Sequence, residues 1–447
     1  MKLYDRQIRL WGLETQRGLL GTRILLIGVN GLGNEIAKNL VLAGVGHLHV
    51  LDAALLREED LATGALFSVA RSSVGSPRAA ALCKELHDMN GSVKLESLTG
   101  TAADLGADRL AGYDFILDAS GASSVCRRAA PPPRRVPGPR TPARRHRPPA
   151  APPQVASIAA LTRLIEDAPE PPPTPLAKRQ RVAADGDSVS PASEPPASAA
   201  KTNGAHVVLP ARGAAAAEGQ APRRAPRFLA CGCLGLHGFC YFDLGTTTVV
   251  IPPPKANPAD KEAEAPKPPT YERAAYPTVD SAASVPWSSL GPRVPPLYYC
   301  LQLLARHAAD ARSPSEAQLK AAAELLPEGE HRAALASVLA HRDELLGEAT
   351  ANVAGAADRS EPRLLARLVA GPAELSPVCA VVGGMVASEV IKVISGKERP
   401  INNAFFFDGA TGDGMVQRLG PSFECPWGVD KGAFTRVEPP ALTPASS

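Results

Sequence analysis

The sequence lacks the cysteine pattern of a structural zinc protein. Its eight cysteines are scattered along 447 residues and include no Cys-x-x-Cys pair, which excludes a zinc site of the usual paired-thiolate kind. We also expect no signal peptide and no apolar run long enough to span a bilayer. These absences predict free thiols in a reducing compartment and no membrane contact.

Strong net charge and aromatic residues are scarce as well. The formal net charge is only +3, which does not by itself indicate a nucleic-acid partner. Aromatic residues make up 4% of the chain, whereas there are 45 prolines. Segments of this composition cannot bury enough apolar surface to offset the conformational entropy of the chain, so long unpacked stretches are expected.

The longest of these stretches is residues 127–226, where Pro, Ala, Arg and Ser dominate. We predict a disordered insertion there and a second, shorter linker at 252–269. Two origins of the insertion stay open. It is either a real, lineage-specific insertion in a loop, where extra length costs little, or a gene-model artefact in which GC-rich intron sequence was translated.

Outside the insertion, short apolar runs alternate with stretches of helical periodicity. In the first part of the chain the predicted strands are 23–27, 47–51, 93–98 and 113–117, and the predicted helices are 4–20, 32–43 and 78–89. This order predicts an α/β, Rossmann-like fold with a doubly wound, mostly parallel sheet. Residues 1–126 are the first part of this fold and 227–420 the remainder, followed by a tail at 421–447.

A glycine loop joins the first predicted strand to the first long helix. Gly28, Gly31 and Gly33 precede a helix N-terminus, where backbone amides bind phosphate, and Asp52 follows the second strand, where a carboxylate can hold a ribose. Two other interpretations stay open: the glycines serve tight packing without a ligand, and Asp52 is only a polar strand end. The spacing G-x-x-G-x-G differs from the G-x-G-x-x-G of dinucleotide sites. With no Tyr/Lys or His catalytic set, this disfavours an NAD-dependent oxidoreductase.

The opening nonapeptide, Tyr-Asp-Arg-Gln-Ile-Arg-Leu-Trp-Gly at residues 4–12, gives this loop a more specific context. Together they resemble the ubiquitin-activating, ThiF-like adenylation family and, within it, the small subunit of SUMO-activating heterodimers. The resemblance covers about 4–125 and 228–420. The segments that carry it are 4–12, 35–44, 73–79, 235–239, 377–384 and 402–409.

The resemblance also shows what this chain lacks. Catalytic members of the family have a cation-bearing Asn-Arg-Gln-Phe segment, but the matching residues 62–65 read Ala-Thr-Gly-Ala. The family's phosphate lysine matches Arg78, and its magnesium aspartate aligns with Gly121, with Asp118 nearby but out of register. No catalytic-cysteine domain is apparent. The resemblance therefore implies that the chain alone is inactive and binds no cofactor or metal, and that its glycine loop and Asp52 are vestigial.

Under this interpretation, one residue of the chain keeps a catalytic role. In the resembling heterodimers the arginine of the Tyr-Asp-Arg segment, here Arg6, reaches into the Mg-ATP site of the large catalytic subunit. A fixed guanidinium there would stabilise developing charge. The implied partners are that subunit and SUMO, with neither nucleic acid nor membrane. The alternative is that Arg6 is an ordinary solvated charge on a helix.

Three further features bear on partners and location. The opening helix and the apolar helix predicted at 378–394, with its glycine pair 383–384, are the candidate interface with the large subunit. Lys178, Arg179 and Arg181 resemble a nuclear-import signal or are an ordinary charge run, so we expect the nucleus, with the cytoplasm as a second location. Cys231, Cys233 and His237 are assigned structural roles.

The sequence leaves three alternative functions open. The regulatory subunit of a neddylation-activating enzyme has a similar opening, but would carry a large packed helical insertion. An NAD-dependent oxidoreductase would share the β-α-β unit. A pure scaffold would bind no nucleotide in any complex, and replacing Arg6 separates it from the leading interpretation.

Overall fold

The computed structural model describes most of the chain outside the predicted insertion. The described residues are 4–62, 66, 68–120, 226–251, 268–310, 312–326, 331–348, 356–370, 374–421, 423–425, 428–430 and 434–437. They all belong to one unit with its own packed core. Apart from Pro226, the predicted insertion at 127–226 lies outside the described residues, as does most of the linker at 252–269.

Thirteen strands are present in the described residues. They are β1 Arg23–Ile27, β2 His47–Leu51, β3 Lys94–Leu98, β4 Phe115–Asp118, β5 Arg227–Leu234, β6 His237–Asp243, β7 Thr246–Ile251, β8 Thr270–Ala275, β9 Ala404–Asp408, β10 Asp413–Gln417, β11 Phe423–Cys425, β12 Gly428–Asp430 and β13 Thr435–Val437.

The same part of the chain contains thirteen α-helices. They are α1 Asp5–Trp11, α2 Leu13–Gly21, α3 Gly31–Ala43, α4 Glu58–Ala62, α5 Arg78–Met89, α6 Gly106–Leu110, α7 Val279–Ala283, α8 Pro296–Ala309, α9 Glu316–Leu325, α10 Arg332–Glu348, α11 Ala356–Arg359, α12 Pro362–Ala370 and α13 Ser376–Ser395.

Eight strands form the main sheet, in the order β10-β9-β6-β5-β4-β1-β2-β3. The five strands from β5 to β3 are parallel, and β6, β9 and β10 continue the sheet in antiparallel fashion. The predicted mostly parallel α/β sheet is therefore confirmed. β4 and β5 are parallel neighbours, with Phe115 opposite Arg227.

Helices cover both faces of this sheet, as expected when parallel strands alternate with helices. Because side chains alternate along a strand, Ile24 and Leu26 of β1 join a core with α3, α5 and α13, while Leu25 and Ile27 join a core with α8, α10 and α12. The central strand is buried on both sides for this reason.

The opening of the chain differs from the prediction of a single helix over residues 4–20. Gly12 has a φ of +91° and separates α1 from α2. This backbone conformation suits glycine and ends the first helix. The Lys397 ammonium donates a hydrogen bond to the Trp11 carbonyl at 2.6 Å, which satisfies an acceptor at the end of α1. In the tail, the described residues form the short hairpin β11–β12 and the strand β13, which pairs with β8.

The apolar helix α13 lies across α3. A Cβ placed at Gly383 would be 2.7 Å from the Cβ of Glu35, so the predicted close backbone approach is confirmed at Gly383, and its neighbour is α3 of this chain. Nothing lies within 4 Å of a Cβ placed at Gly384. The expectation of no membrane-length run is wrong, because this 20-residue helix is long and apolar enough to cross a bilayer. Its apolarity is explained by packing, since its inner face is part of the core.

Buried histidines make the folded state sensitive to acid. Burial is the main cause that lowers the pKa of His49 and His307. His49 Nδ1 lies 2.9 Å from the Tyr113 hydroxyl, and His307 Nδ1 lies 3.0 Å from the Ser337 hydroxyl.

A lowered folded-state pKa means that the unfolded chain takes up protons first. The stabilising contribution of these histidines is therefore complete above about pH 6.5 and is lost as the pH falls, by up to about 1.4 kcal/mol per pH unit for each histidine. We expect the thermal midpoint to fall between pH 7 and pH 5. Melts of the wild type and a His307→Asn variant test this, and an equal acid sensitivity of the two proteins would contradict the role of His307.

Candidate functional site

The glycine loop folds tightly between β1 and α3. Gly28 has a φ of +95°, and a Cβ there would lie 2.9 Å from the Ser120 amide nitrogen. A Cβ at Gly33 would lie 2.2 Å from the Gly28 carbonyl oxygen. Asn30 caps α3 by accepting a hydrogen bond from the Gly33 amide at 2.8 Å and donates to the Ala119 carbonyl at 2.9 Å. Packing is therefore a sufficient reason for glycine at both positions.

The first helix amide at this loop already has an anionic partner. The Gly31 amide donates to Oε2 of Glu374 at 2.6 Å. Glu374 comes from the residues just before α13, where it forms a β-bridge with Gly235. A carboxylate at a helix N-terminus is favoured by the helix dipole. Glu374 thus takes the kind of position in which a nucleotide phosphate would contact the loop.

Asp52 lies beside the loop, as predicted, and fixes its backbone. One carboxylate oxygen accepts from the Val29 amide and the other from the Ala54 amide, both at 2.7 Å. These bonds tie the residue after Gly28 to the end of β2. The structure thus brings the predicted glycines and Asp52 together, and it gives Asp52 a role in holding the turn.

Arg78, which matches the family's phosphate position, is buried, and so is Asp118, which lies near the family's metal position but out of register. Arg78 is only 9% exposed, and its guanidinium makes a bidentate ion pair with Asp60, at 2.5 and 3.0 Å. Burial raises the pKa of Asp118, whose Oδ1 accepts from the Ser120 amide and hydroxyl. One oxygen of this buried carboxyl is therefore already engaged by Ser120 within the fold.

Mg-ATP does not fit this arrangement. A triphosphate at the loop would meet the Glu374 carboxylate, and the guanidinium of Arg78 is already paired with Asp60. Among the described residues, no group of three or more His, Cys, Asp or Glu side chains is placed to hold a metal. Residues 63–65 and Gly121, which also belong to the comparison with catalytic members, lie outside the described part.

Arg6 lies far from the loop of its own chain. Tyr4, two residues earlier, packs against Gly44 at the C-terminal end of α3, whereas the loop is at the N-terminal end. A helix of 13 residues is about 20 Å long. Arg6 is exposed and, within the described part of the chain, has no hydrogen-bond or ion-pair partner, whereas nearby Arg9 pairs with Asp5 at 2.7 Å. Its guanidinium is free to reach another molecule.

A groove of about 400 Å³ runs beside α1. It is formed by the outer faces of α1, α3 and α13, and we call it the α1–α13 groove. Leu42, on its α3 side, is 48% exposed. The residues that line it are Gln7, Trp11, Asn39, Leu42, Ala43, Gly384, Ala387, Ser388, Ile391, Lys392, Ser395 and Glu398. The outer face of α13 and the opening helix, both predicted as interface, therefore share one surface.

The other singled-out residues have structural surroundings or lie outside the described part. Cys231 and Cys233 are buried free thiols, as predicted. A hydrogen bond with Cys379, together with burial, raises the pKa of Cys233 well above its usual value. His237 Nδ1 lies 3.6 Å from Asp408. The predicted import signal, Lys178, Arg179 and Arg181, lies outside the described residues and stays a prediction.

The sequence alone did not indicate the roles of Glu374 and Asp60 or the contacts of Tyr4. Glu374 is 343 residues from Gly31, so no local pattern could have paired them. Asp60 is 18 residues from Arg78, and only its place in an acidic helix start gave a weak signal. Tyr4 was part of the opening motif, but its partners follow from the packing of α3 and α5.

Comparison with known proteins agrees with this geometry. The model of the ThiF family matches residues 4–124. Residues 4–124 are therefore similar to a ThiF-family domain. The match covers the loop, Asp52, Arg78 and Arg6. The remainder of the sheet and its helices, from β5 onward, lies outside the matched range of the ThiF-family domain.

Relatives of this chain match it over nearly its whole length. SUMO-activating enzyme subunit 1 of Bos taurus is 27% identical over 437 residues, covering 94% of this chain and 95% of the relative. The Homo sapiens protein of the same name is 27% identical and covers 94% of each chain. The predicted resemblance to the small SUMO-activating subunit is confirmed.

Two other matches cover less or are more distant. The DNA damage tolerance protein rad31 of Schizosaccharomyces pombe is 39% identical over 115 residues, which is 26% of this chain and 37% of that protein. A crystal structure of E. coli MccB covers 95% of this chain and 73% of its own, at 10% identity and a TM-score of 0.41. A likeness this weak carries no argument about function.

Proposed function

We propose that this chain is the non-catalytic subunit of a heterodimeric SUMO-activating enzyme. The large partner subunit binds Mg-ATP and SUMO, and this chain completes the adenylation site with Arg6. The chain alone has no adenylation activity. Its relatives named SUMO-activating enzyme subunit 1, which match it over 94% of its length, support the assignment.

The observation that carries the proposal is the position of Arg6. This arginine is exposed, lacks a partner among the described residues, and lies at the opposite end of α3 from the chain's own glycine loop. It therefore cannot serve that loop, whose first helix amide already binds the Glu374 carboxylate. A cation held this way is suited to act on a phosphate bound by another subunit.

The chemistry has two steps, both on the partner. A carboxylate oxygen of the SUMO C-terminus attacks the α-phosphorus of ATP, and pyrophosphate leaves to give the acyl-adenylate. A cysteine thiolate of the partner then attacks the acyl carbon, forming the thioester and releasing AMP. Arg6 places a planar guanidinium beside the phosphates, where negative charge builds up in the first step.

Testing the assignment requires the chain with and without the large subunit. The two proteins should co-purify, and the complex should exchange pyrophosphate into ATP and form a SUMO thioester on the large subunit. The chain alone should do neither. If the purified chain exchanges pyrophosphate by itself, or carries SUMO on one of its own cysteines, the proposal is wrong.

We place the large subunit on the α1–α13 groove. The outer face of α13 offers the small residues Gly384 and Ser388, and α3 offers the exposed Leu42, while polar side chains line the rest of the groove. Such a surface allows a partner helix to pack closely, and it adjoins the helix that carries Arg6.

Replacing Leu42 by aspartate should weaken the heterodimer at least 30-fold. The new carboxylate would be buried without a partner, which costs about 2 kcal/mol or more. The matched control is Leu319→Asp on α9, because Leu319 is 42% exposed and its helix packs with α10 rather than at the groove. Titration of labelled chain with the large subunit measures both. Equal affinities of the two variants would place the interface elsewhere.

A further inference from the structure

Tyr4 is buried at the start of a helix that otherwise has no buried residue. It is 6% exposed, whereas none of the seven residues of α1 is buried. A helix this short is unstable on its own. Its orientation therefore depends on contacts at its ends and sides rather than on a packed face.

The ring of Tyr4 lies against the backbone at Gly44. A Cβ placed at Gly44 would be 2.6 Å from two ring carbons, so only glycine leaves room for the ring. Gly44 is also the residue that ends α3, with a φ of +83°. One glycine thus ends a core helix and forms the seat for Tyr4.

The Tyr4 hydroxyl is tied to two core helices through Asn90. The Nδ2 of Asn90 donates to the Tyr4 hydroxyl at 2.8 Å and to the Val41 carbonyl at 2.8 Å. Asn90 is the residue that follows α5, and Val41 lies in the last turn of α3. Asn90 is 6% exposed, so these bonds are shielded from water.

Further contacts fix the side and the end of α1. The Gln7 side-chain amide donates to the Leu42 carbonyl at 3.2 Å, and the Lys397 ammonium to the Trp11 carbonyl at 2.6 Å. Arg6 itself makes no such contact among the described residues. The contacts of α1 therefore hold the backbone at Arg6 in place, while the Arg6 side chain is exposed to solvent.

We propose that Tyr4, Gly44 and Asn90 form a latch that positions Arg6 for its action on the ATP of the partner. The inference rests on the proposed function, in which Arg6 acts in trans. Tyr4 is a positioning residue and does not touch substrate. Its effect passes through the direction in which α1 presents the guanidinium, because small misplacements of a charged group reduce its stabilisation of a transition state.

A double-mutant cycle in the reconstituted heterodimer tests the latch. Tyr4→Phe keeps the ring and removes the hydroxyl, and Tyr4→Ala removes the seat contact as well. We expect Tyr4→Phe to lower kcat for pyrophosphate exchange about 3-fold and Tyr4→Ala to lower it at least 10-fold. Losses of this size are typical when a catalytic group is misplaced. KM for SUMO should change less than about 2-fold, because the latch is remote from SUMO binding. In an Arg6→Ala background the same Tyr4 substitutions should have no further effect.

A stability control separates positioning from folding. Tyr113→Phe also removes a buried hydroxyl bonded to a side chain, that of His49, at a site away from α1. Tyr113→Phe should lower the thermal midpoint about as much as Tyr4→Phe does, but it should leave kcat unchanged. Where Tyr4→Ala fails to fold, Tyr4→Phe carries the test.

The possible failures are distinguishable. A fall in kcat from Arg6→Ala without any fall from the Tyr4 variants overturns the latch alone. An equal fall from the Tyr4 variants with and without Arg6 also overturns it, since the effect would then be structural. An Arg6→Ala complex with full activity overturns the proposed function and the latch together.

Discussion

Replacing Arg6 by alanine should lower pyrophosphate exchange by the reconstituted heterodimer about 100-fold or more, the range seen when a guanidinium or hydrogen-bond donor is removed from a developing anion. The physical reason is that ATP gathers negative charge at its phosphates as the SUMO carboxylate attacks. Arg6 is the exposed cation on α1 that has no partner within the described part of the chain. The measurement is the exchange rate at saturating ATP and SUMO.

The same helix supplies the control. Arg9 is also exposed but forms an ion pair with Asp5 at 2.7 Å, and such surface pairs contribute little. Arg9→Ala should therefore retain nearly full activity. Arg6→Lys keeps the charge but loses the planar donor fork, so we expect it to recover only part of the rate.

Binding must be separated from chemistry in this experiment. Arg6→Ala should change heterodimer affinity less than about 3-fold, because exposed charges at an interface rim contribute little to affinity. A rate equal to that of Arg9→Ala would favour a scaffold. If a high concentration of the subunits restores the rate of Arg6→Ala, Arg6 contributes to binding of the large subunit and not to the ATP site.

The alternation of strands and helices could be predicted because local patterns specify it. The buried run at 23–27 and the helical spacing that follows appear in the structure as β1 and α3, and Asp52 follows β2 as expected. In each case the periodicity reflects the face that the element buries. The opening helix was predicted too long, because one glycine with a positive φ outweighs the apolar stripe that continues past it.

Long-range partners could not be predicted in this way. The close approach at Gly383 follows from its lack of a side chain, but only the fold shows that Glu35 of the same chain is the neighbour. Arg78 matched a phosphate position in sequence, yet in space it pairs with Asp60. Glu374 illustrates the limit best, because a carboxylate 343 residues away along the chain decides what the helix N-terminus contacts.

The loop glycines allow a sharp test of whether they serve packing or a ligand. Replacing Gly33 by alanine should destabilise the purified chain by at least about 3 kcal/mol, at the upper end of the range for overpacking. The added Cβ would lie 2.2 Å from the Gly28 carbonyl oxygen. Both clashing groups belong to the backbone of one tight loop, so neither can rotate away.

Gly384→Ala is the matched control, since Gly384 is also helical and a Cβ there meets nothing within 4 Å. Alanine should stabilise that helix by up to about 1 kcal/mol in the isolated chain. Denaturant unfolding without nucleotide measures both changes. Because no ligand is present, a large loss at Gly33 can only come from packing between β1 and α3. If Gly33→Ala is as stable as the wild type, the loop is loosely packed in the free protein. That result would favour a ligand-binding role for the loop glycines over a packing role.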